Sequence, residues 1–290
     1  MSRFFALLLG VYVAAAAYEG RAMSVQVIKQ GHLEALLSED KTIPVAAMRL
    51  VFDGGKRLVP EGREGVGELA SYLIQEGAAG MDAEGLAERQ IDLAASISMS
   101  NERDGFSISI TSVADALPDA LGLVMDMLTQ PALGADDFAR LKDQMKASVR
   151  RRMNDPQSLA FTAVAAQSYP GVAQGRSQTI ASLNQVTLDD VRGFLNRQIQ
   201  TERLLVALAG DVSPQTTRAL LDVLQERLPR GEVAANEPFL NIQNQGRTVV
   251  VPQPIPQSTV VMAMPGLVRD DPDFLVAYVL NHIVGGGGFS

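Results

Sequence analysis

The sequence predicts an α+β fold, a mixed and mainly antiparallel sheet flanked by helices, forming the first of two homologous domains plus the beginning of the second. Three observations predict it. Apolar and polar residues alternate from Val25 to Asp40, the period of a half-buried strand. Val66, Leu69, Ala70, Leu73 and Ile74 fall at i, i+3, i+4, i+7 and i+8, one apolar face of a helix. After a polar, breaker-rich stretch from Pro229 to Pro238, the order strand, glycine-containing turn, helix starts again.

The elements follow in order. Val25 to Asp40 is a hairpin around Gly31-His32, and Val45 to Phe52 is a strand ended by Gly54-Gly55. A helix begins at Gly65 and presents Glu68, Tyr72 and Glu76 opposite its apolar face, and a second helix covers Glu84 to Ala94. Ala95 to Ser100 and Phe106 to Val113 are strands joined by the polar turn Asn101 to Gly105. Helices follow over Asp115 to Leu128, Ala135 to Met153 and Gln157 to Ser168, punctuated by Pro131 and Pro156. Thr187 caps another helix, Leu204 to Ala209 reads as a buried strand ending at Gly210-Asp211, and Ser213-Pro214 opens a helix to Leu228. Past the linker, Arg247 to Val251 and Thr259 to Met264 read as strands, and Pro272 to Val284 as a helix. The domain boundaries are therefore a signal peptide at 1–22, an N-terminal domain at 23–229, a linker at 230–245 and the start of a second domain at 246–290. The repeat stops after barely two strands and a helix, so a fragment of a longer protein is expected.

Composition narrows the function classes. The chain has 290 residues, 47% hydrophobic, enough for one large or two medium cores. Its net charge is -8 with no block of like charge, the wrong sign for nucleic acid and for anionic lipid. At the N-terminus, Arg3 precedes an apolar run from Phe4 to Val13 and the alanines Ala14 to Ala17, the pattern of a secretory signal cleaved after Ala17 or Ala22. The alternative is an uncleaved anchor, the sole membrane attachment the sequence suggests. Export to the periplasm or beyond is expected. Cysteine is absent, so no disulfide staples the chain.

Several segments together resemble the insulinase/pitrilysin family of inverted-motif zinc peptidases, the group that includes the mitochondrial processing peptidase. The helix Gly65 to Leu73 matches the frame in which that family carries H-x-x-E-H. Further matches keep the family's order: Arg150 to Pro156, Tyr169-Pro170-Gly171 to Arg176, Thr187 to Val191, Ala209 to Val212, and Asn281 to Ser290. The resemblance runs from about residue 25 to the last residue and implies the family's fold. It also implies where the chemistry belongs, and there the chain departs from the family. The two ligand positions on the helix hold Glu68 and Tyr72, the general-base position holds Ser71, and the distal glutamate position holds Ser148. With two histidines in the whole chain, His32 and His282, a histidine-pair zinc centre on one helix is impossible. A non-catalytic homologue is implied, with no catalytic residue, no metal ligand and no cofactor.

Two segments remain as binding candidates. In the family the strand after the metal helix pairs with an extended peptide by β-augmentation, which uses backbone groups and survives loss of catalytic side chains. Here that strand is Ala95, Ser96, Ile97, Ser98, Met99 and Ser100; the alternative is an ordinary or covered sheet strand. Gly285, Gly286, Gly287 and Gly288 lack the Lys-Ser/Thr of a phosphate loop. They are either a helix C-terminus with a tight turn or, by resemblance, part of a chamber lining. Glu68, Tyr72 and Glu76 as a hard-cation site are the weaker alternative to a solvated face, and Arg150 to Arg152 read as a dipole-matched helix terminus. His32 is expected to be exposed, and His282 packed or near a helix cap.

The resemblance implies a non-catalytic subunit of an exported metallopeptidase-family complex. Such a subunit closes a chamber with an H-x-x-E-H partner and helps bind peptide. It also implies an Arg/Tyr pair in the second domain, beyond Ser290. The alternative is a structural or assembly protein with a peptidase-like fold and no part in proteolysis.

Overall fold

The computed structural model describes residues 24–231 and 240–286. Its strands are β1 (Val25–Gln30), β2 (Leu33–Glu39), β3 (Val45–Asp53), β4 (Gly77–Ala78), β5 (Met81–Asp82), β6 (Ser96–Asn101), β7 (Gly105–Val113) and β8 (Leu204–Gly210). Six of them form one sheet in the order β1-β2-β8-β3-β7-β6, while β4 and β5 make a small hairpin of their own. Only the β2–β8 pairing is parallel, so the mixed and mainly antiparallel sheet read from the sequence is present.

The helices are α1 (Val66–Leu73), α2 (Ala83–Asp92), α3 (Leu117–Thr129), α4 (Ala135–Arg152), α5 (Pro156–Ser168), α6 (Ile180–Gln185), α7 (Leu188–Gln198), α8 (Pro214–Arg227) and α9 (Phe274–Asn281). Their caps are those the residue types predict. Thr187 with Asp190 and Thr179 with Ser182 form capping boxes at α7 and α6, and Ser213 accepts from the Thr216 N–H at α8. The β1–β2 turn works because Gly31 takes φ 57°, and it is pinned to α8: the Gln30 amide donates to Asp222 at 2.9 Å and the His32 N–H to Gln225 Oε1 at 3.0 Å. His32 itself is exposed, as the turn implied.

The core lies under one face of the sheet. Alternate residues of β3 (Ala46, Met48, Leu50, Phe52) and β7 (Phe106, Ile108, Ile110) are buried beneath Leu69 and Leu73 of α1, Leu121 and Val124 of α3, and Phe194 of α7. The apolar face of α1 is fully buried, as its spacing required. One buried polar residue ties strand to helix. Gln198, at the end of α7, donates through Nε2 to the carbonyls of Phe52 at 2.8 Å and Asp53 at 3.0 Å. Its Oε1 accepts from the Gly55 N–H at 2.9 Å. These bonds satisfy backbone groups where β3 runs into the 3-10 turn Gly55–Leu58.

Among the described residues the opposite sheet face is largely uncovered. Val27 is 54% exposed, Leu36 52% and Leu205 67%. This corrects the reading of Leu204 to Ala209 as a buried strand: Leu204, Val206 and Leu208 point into the core while Leu205, Ala207 and Ala209 point out. A continuous apolar run signals cover on both faces only when a second layer is present, and no described element supplies one.

The C-terminal segments also differ from expectation. Arg247 to Val251 and Thr259 to Met264 form no strand in the described residues. A strand is defined by its ladder, and no described strand pairs with these segments. The expected helix from Pro272 is realised as α9 and continues into a π-type turn, His282–Gly286, with Leu275, Val276, Tyr278 and Ile283 all exposed. His282 is at the helix cap and exposed, so it is not packed. The signal-peptide reading, most of the linker's breaker residues (232–239) and Gly287 and Gly288 lie outside the described residues.

Where the chain leaves the domain, Glu202 clamps it. Its carboxylate accepts from the Gly231 N–H at 2.6 Å and pairs with Arg230 at 3.0 Å. The Gly231 bond first, and the Arg230 bond second, hold its pKa down to about 2 from the usual 4.5. A depressed folded-state pKa contributes stability that is present above about 4.5 and lost as pH falls toward about 2. Amide exchange at Gly231 is therefore expected to be slower than in a Glu202→Gln variant at pH 5, with the difference vanishing through that acidic window. Equal exchange in the two proteins at pH 5 would disprove the clamp.

Candidate functional site

A cleft of about 890 Å³ lies between α1, α4, α5 and the segment 177–181. That is within the range of ligand-sized sites. It is built from sequence-local choices. Gly65 takes φ 110° to cap α1, and Gly67 abuts the Asn101 side chain, so α1 sits close on β6 with no room for a larger residue. The long α4 has a run of acidic residues in its first turn and ends in Arg150, Arg151 and Arg152, both arranged favourably for the helix dipole.

The positions singled out by resemblance converge. Glu68 and Tyr72 on α1 and Ser148 on α4 line this one cleft, although Ser148 is distant from the others in sequence. Ser71 does not join them. It is buried, and its Oγ donates to the Glu68 carbonyl at 2.8 Å within the same helix. A hydroxyl spent on its own helix backbone, with no histidine beside it, is no nucleophile or base.

The residues do not fit a zinc ion. Glu68 offers a carboxylate, Tyr72 an exposed phenol and Ser148 a neutral hydroxyl that already accepts from Arg152 Nη1 at 3.2 Å. Among the described residues no group of three or more histidine, cysteine, aspartate or glutamate side chains gathers in a way that could hold a metal. The hard-cation alternative on Glu68, Tyr72 and Glu76 also loses its third member, because Glu76 is bound to Arg140 at 2.6 Å.

Sequence reasoning missed the cations of the cleft. Lys56 reaches it from the 3-10 turn that Gln198 holds, and Arg152 enters from the end of α4. The second was legible: Ser148 and Arg152 are four residues apart and share a helix face. The arginine cluster is therefore not only a dipole-matched terminus. Arg152 bonds Ser148 and also Gln178 Oε1, at 3.0 Å.

The strand candidate lies at the sheet edge. Glu102 donates to the Gly105 carbonyl at 2.8 Å, so Ser100, Ser98 and Ser96 occupy the hydrogen-bonded pairs with β7. The N–H and C=O groups of Ile97, Met99 and Asn101 turn to the free edge, where the Gln90 side chain already takes the Ile97 N–H at 3.2 Å. Ala95 precedes the strand and donates to the Gln90 carbonyl. Gly285 and Gly286 lie in the π-type turn after α9.

The fold and the cleft can be set beside known proteins. A family model described as "Peptidase M16 inactive domain" matches residues 185–290. The chain is 23% identical over 284 residues to the "Non-peptidase homolog YmxG" of Helicobacter pylori, covering 97% of this chain and 65% of that protein. It is 22% identical over 196 residues to "Cytochrome b-c1 complex subunit 1, mitochondrial" of Mus musculus, covering 66% of this chain and 40% of the relative. It thus spans less than two thirds of the length of either. The crystal structure of a peptidase M16 inactive domain from Pseudomonas fluorescens superposes with a TM-score of 0.75 at 24% identity, over 92% of this chain and 65% of that one. The family model over residues 185–290, the relatives and the shared fold agree: the chain is similar to inactive members of the insulinase/pitrilysin (M16) peptidases.

Proposed function

We propose that this chain works without catalysis, as a structural or assembly protein built on the peptidase fold. The observation that carries this reading is the cleft. Glu68, Tyr72 and Ser148 line one cleft, and their side chains are not the ligands of a zinc site of the family's kind. What the scaffold still offers is surface. The open sheet face and α9 present valine and leucine side chains to solvent, beyond the scattered exposure of an ordinary monomer. A second domain from the remainder of a longer chain, or a partner subunit, would cover them. Export, with removal of the N-terminal apolar run, is part of the proposal and rests on that run alone.

A second reading is favoured by the free edge of β6. There the chain contributes peptide binding, and encloses a chamber with an H-x-x-E-H-bearing subunit in a hetero-oligomer.

One experiment separates the readings. The purified protein is expected to carry no stoichiometric zinc and to show no chelator-sensitive peptidase activity. Mixed with an H-x-x-E-H subunit of the same family from its own cell, it is expected to sediment as a complex while hydrolysis of a fluorogenic peptide stays at the partner's own rate. A rise in that rate would replace the assembly reading with the peptide-handling one. About one zinc per chain, with hydrolysis abolished by Glu68→Gln, would overturn both.

A further inference from the structure

We propose that the cleft is a receptor for the free C-terminal carboxylate of an extended peptide ending in an apolar residue, with Arg152 as the group that takes the carboxylate. This goes beyond the assembly reading and requires no peptidase partner.

The inference starts from the arginines that bond side chains distant in the sequence. Arg63, Arg140, Arg176 and Arg227 each meet a carboxylate, Asp190, Glu76, Glu64 and Asp126 respectively. Arg152 meets none among the described residues. Its two terminal nitrogens are oriented by neutral oxygens, Ser148 Oγ and Gln178 Oε1, at 3.2 and 3.0 Å. The guanidinium is held in place while its charge is left without a counter-ion. A planar fork so held matches a carboxylate in two-point geometry. Lys56, lining the same cleft, also makes no ion pair among the described residues, so a second cation is available to the same anion. The charged groups lining the cleft are Lys56, Glu68 and Arg152, two positive and one negative, in a chain whose overall charge is -8. The site thus runs against the sign of the molecule.

The rest of the lining describes the neighbour of the carboxylate. Leu141, Met145 and Val149 from α4, with Met153 and Leu159, form an apolar wall beside Arg152. A cation beside a wall of leucine, valine and the adaptable methionine suits a terminal apolar side chain and its own α-carboxylate together. An acidic side chain inside a peptide brings the carboxylate without placing an apolar group directly beside it.

The test is fluorescence anisotropy at low salt with three labelled peptides: one ending in leucine as the free acid, the same peptide amidated, and an amidated peptide with an internal glutamate. The full chain is expected to bind the free acid roughly tenfold or more tighter than either amide, the scale of a charge-assisted hydrogen bond. Arg152→Gln should remove that preference, and Arg152→Lys should restore part of it by charge without the fork. Glu68→Gln should tighten the free acid, because it removes the one opposing charge; a merely structural role for these residues does not predict that gain. Circular dichroism checks that each variant is folded. Equal binding of acid and amide overturns the proposal, as does a folded Arg152→Gln that keeps the preference. Preference for the internal glutamate overturns the assignment to a chain terminus. The partner-activation experiment is independent of all these outcomes.

Discussion

Gln198→Leu is expected to destabilise the domain by on the order of 4 kcal/mol, a large effect for a single polar side chain. The side chain is completely buried and makes three bonds to backbone, two as donor and one as acceptor. Leucine fills similar volume, so little is lost to a cavity. What is lost is the satisfaction of the Phe52 and Asp53 carbonyls and the Gly55 N–H, and each buried backbone group left unpaired costs roughly 1–3 kcal/mol. The turn cannot move away to find water easily, because Gly55 holds φ 53° against the backbone of Glu102 and Gly105. Urea unfolding would show a lower midpoint at an unchanged slope. A loss below about 1 kcal/mol would mean that the turn finds other partners and that Gln198 is merely well packed.

The second large effect concerns metal. Glu68→His, Tyr72→His and Ser148→Glu together are expected to convert a chain without zinc into one that takes up about one ion. Two histidines at i and i+4 on α1 and a carboxylate from α4 make a three-ligand site with one open position. The three positions already line the same cleft. The affinity should fall short of a natural site by roughly 10–100-fold, because no second shell fixes the imidazoles. Arg152 works against the ion, since its guanidinium would seek the new carboxylate at position 148. Adding Arg152→Gln should therefore tighten zinc further. Isothermal titration and elemental analysis give the answer. A folded triple variant that binds no better than the parent would show that position 148 does not face α1 as a ligand must.

The sequence made some of this legible and hid the rest for physical reasons. Helix faces, caps and the β1–β2 hairpin depend on neighbours within a few residues, so the spacing of Val66 to Ile74 and the pairs Thr187–Asp190 and Gly31–His32 carried them. The position of β8 depends on contacts far apart in the chain. Nothing in Leu204 to Ala209 states that it enters between β2 and β3, or that one of its faces stays open. The cleft was half legible. Family resemblance identified the positions whose chemistry is gone, but not the cations that line the same space, because Lys56 and Arg152 meet only through the fold. The second-domain strands were read from residue type, and residue type cannot supply a partner edge.

The place of β8 also sets an order of assembly. β2 and β3 are consecutive in the chain, joined by a short loop, yet they share no edge. One side of the sheet is the β1–β2 hairpin and the other is β3, β7 and β6, and the two meet only through β8. A ribosome that has released everything up to Gln200 has made both wings of the sheet and none of the seam between them. The parallel β2–β8 pairing joins Ala35 to Val206, a closure across most of the domain. Such long-range pairing is slow, because the chain entropy is lost before the contacts repay it. Until the seam closes, the wings expose their unpaired inner edges, and that interval is when this domain is open to mispairing.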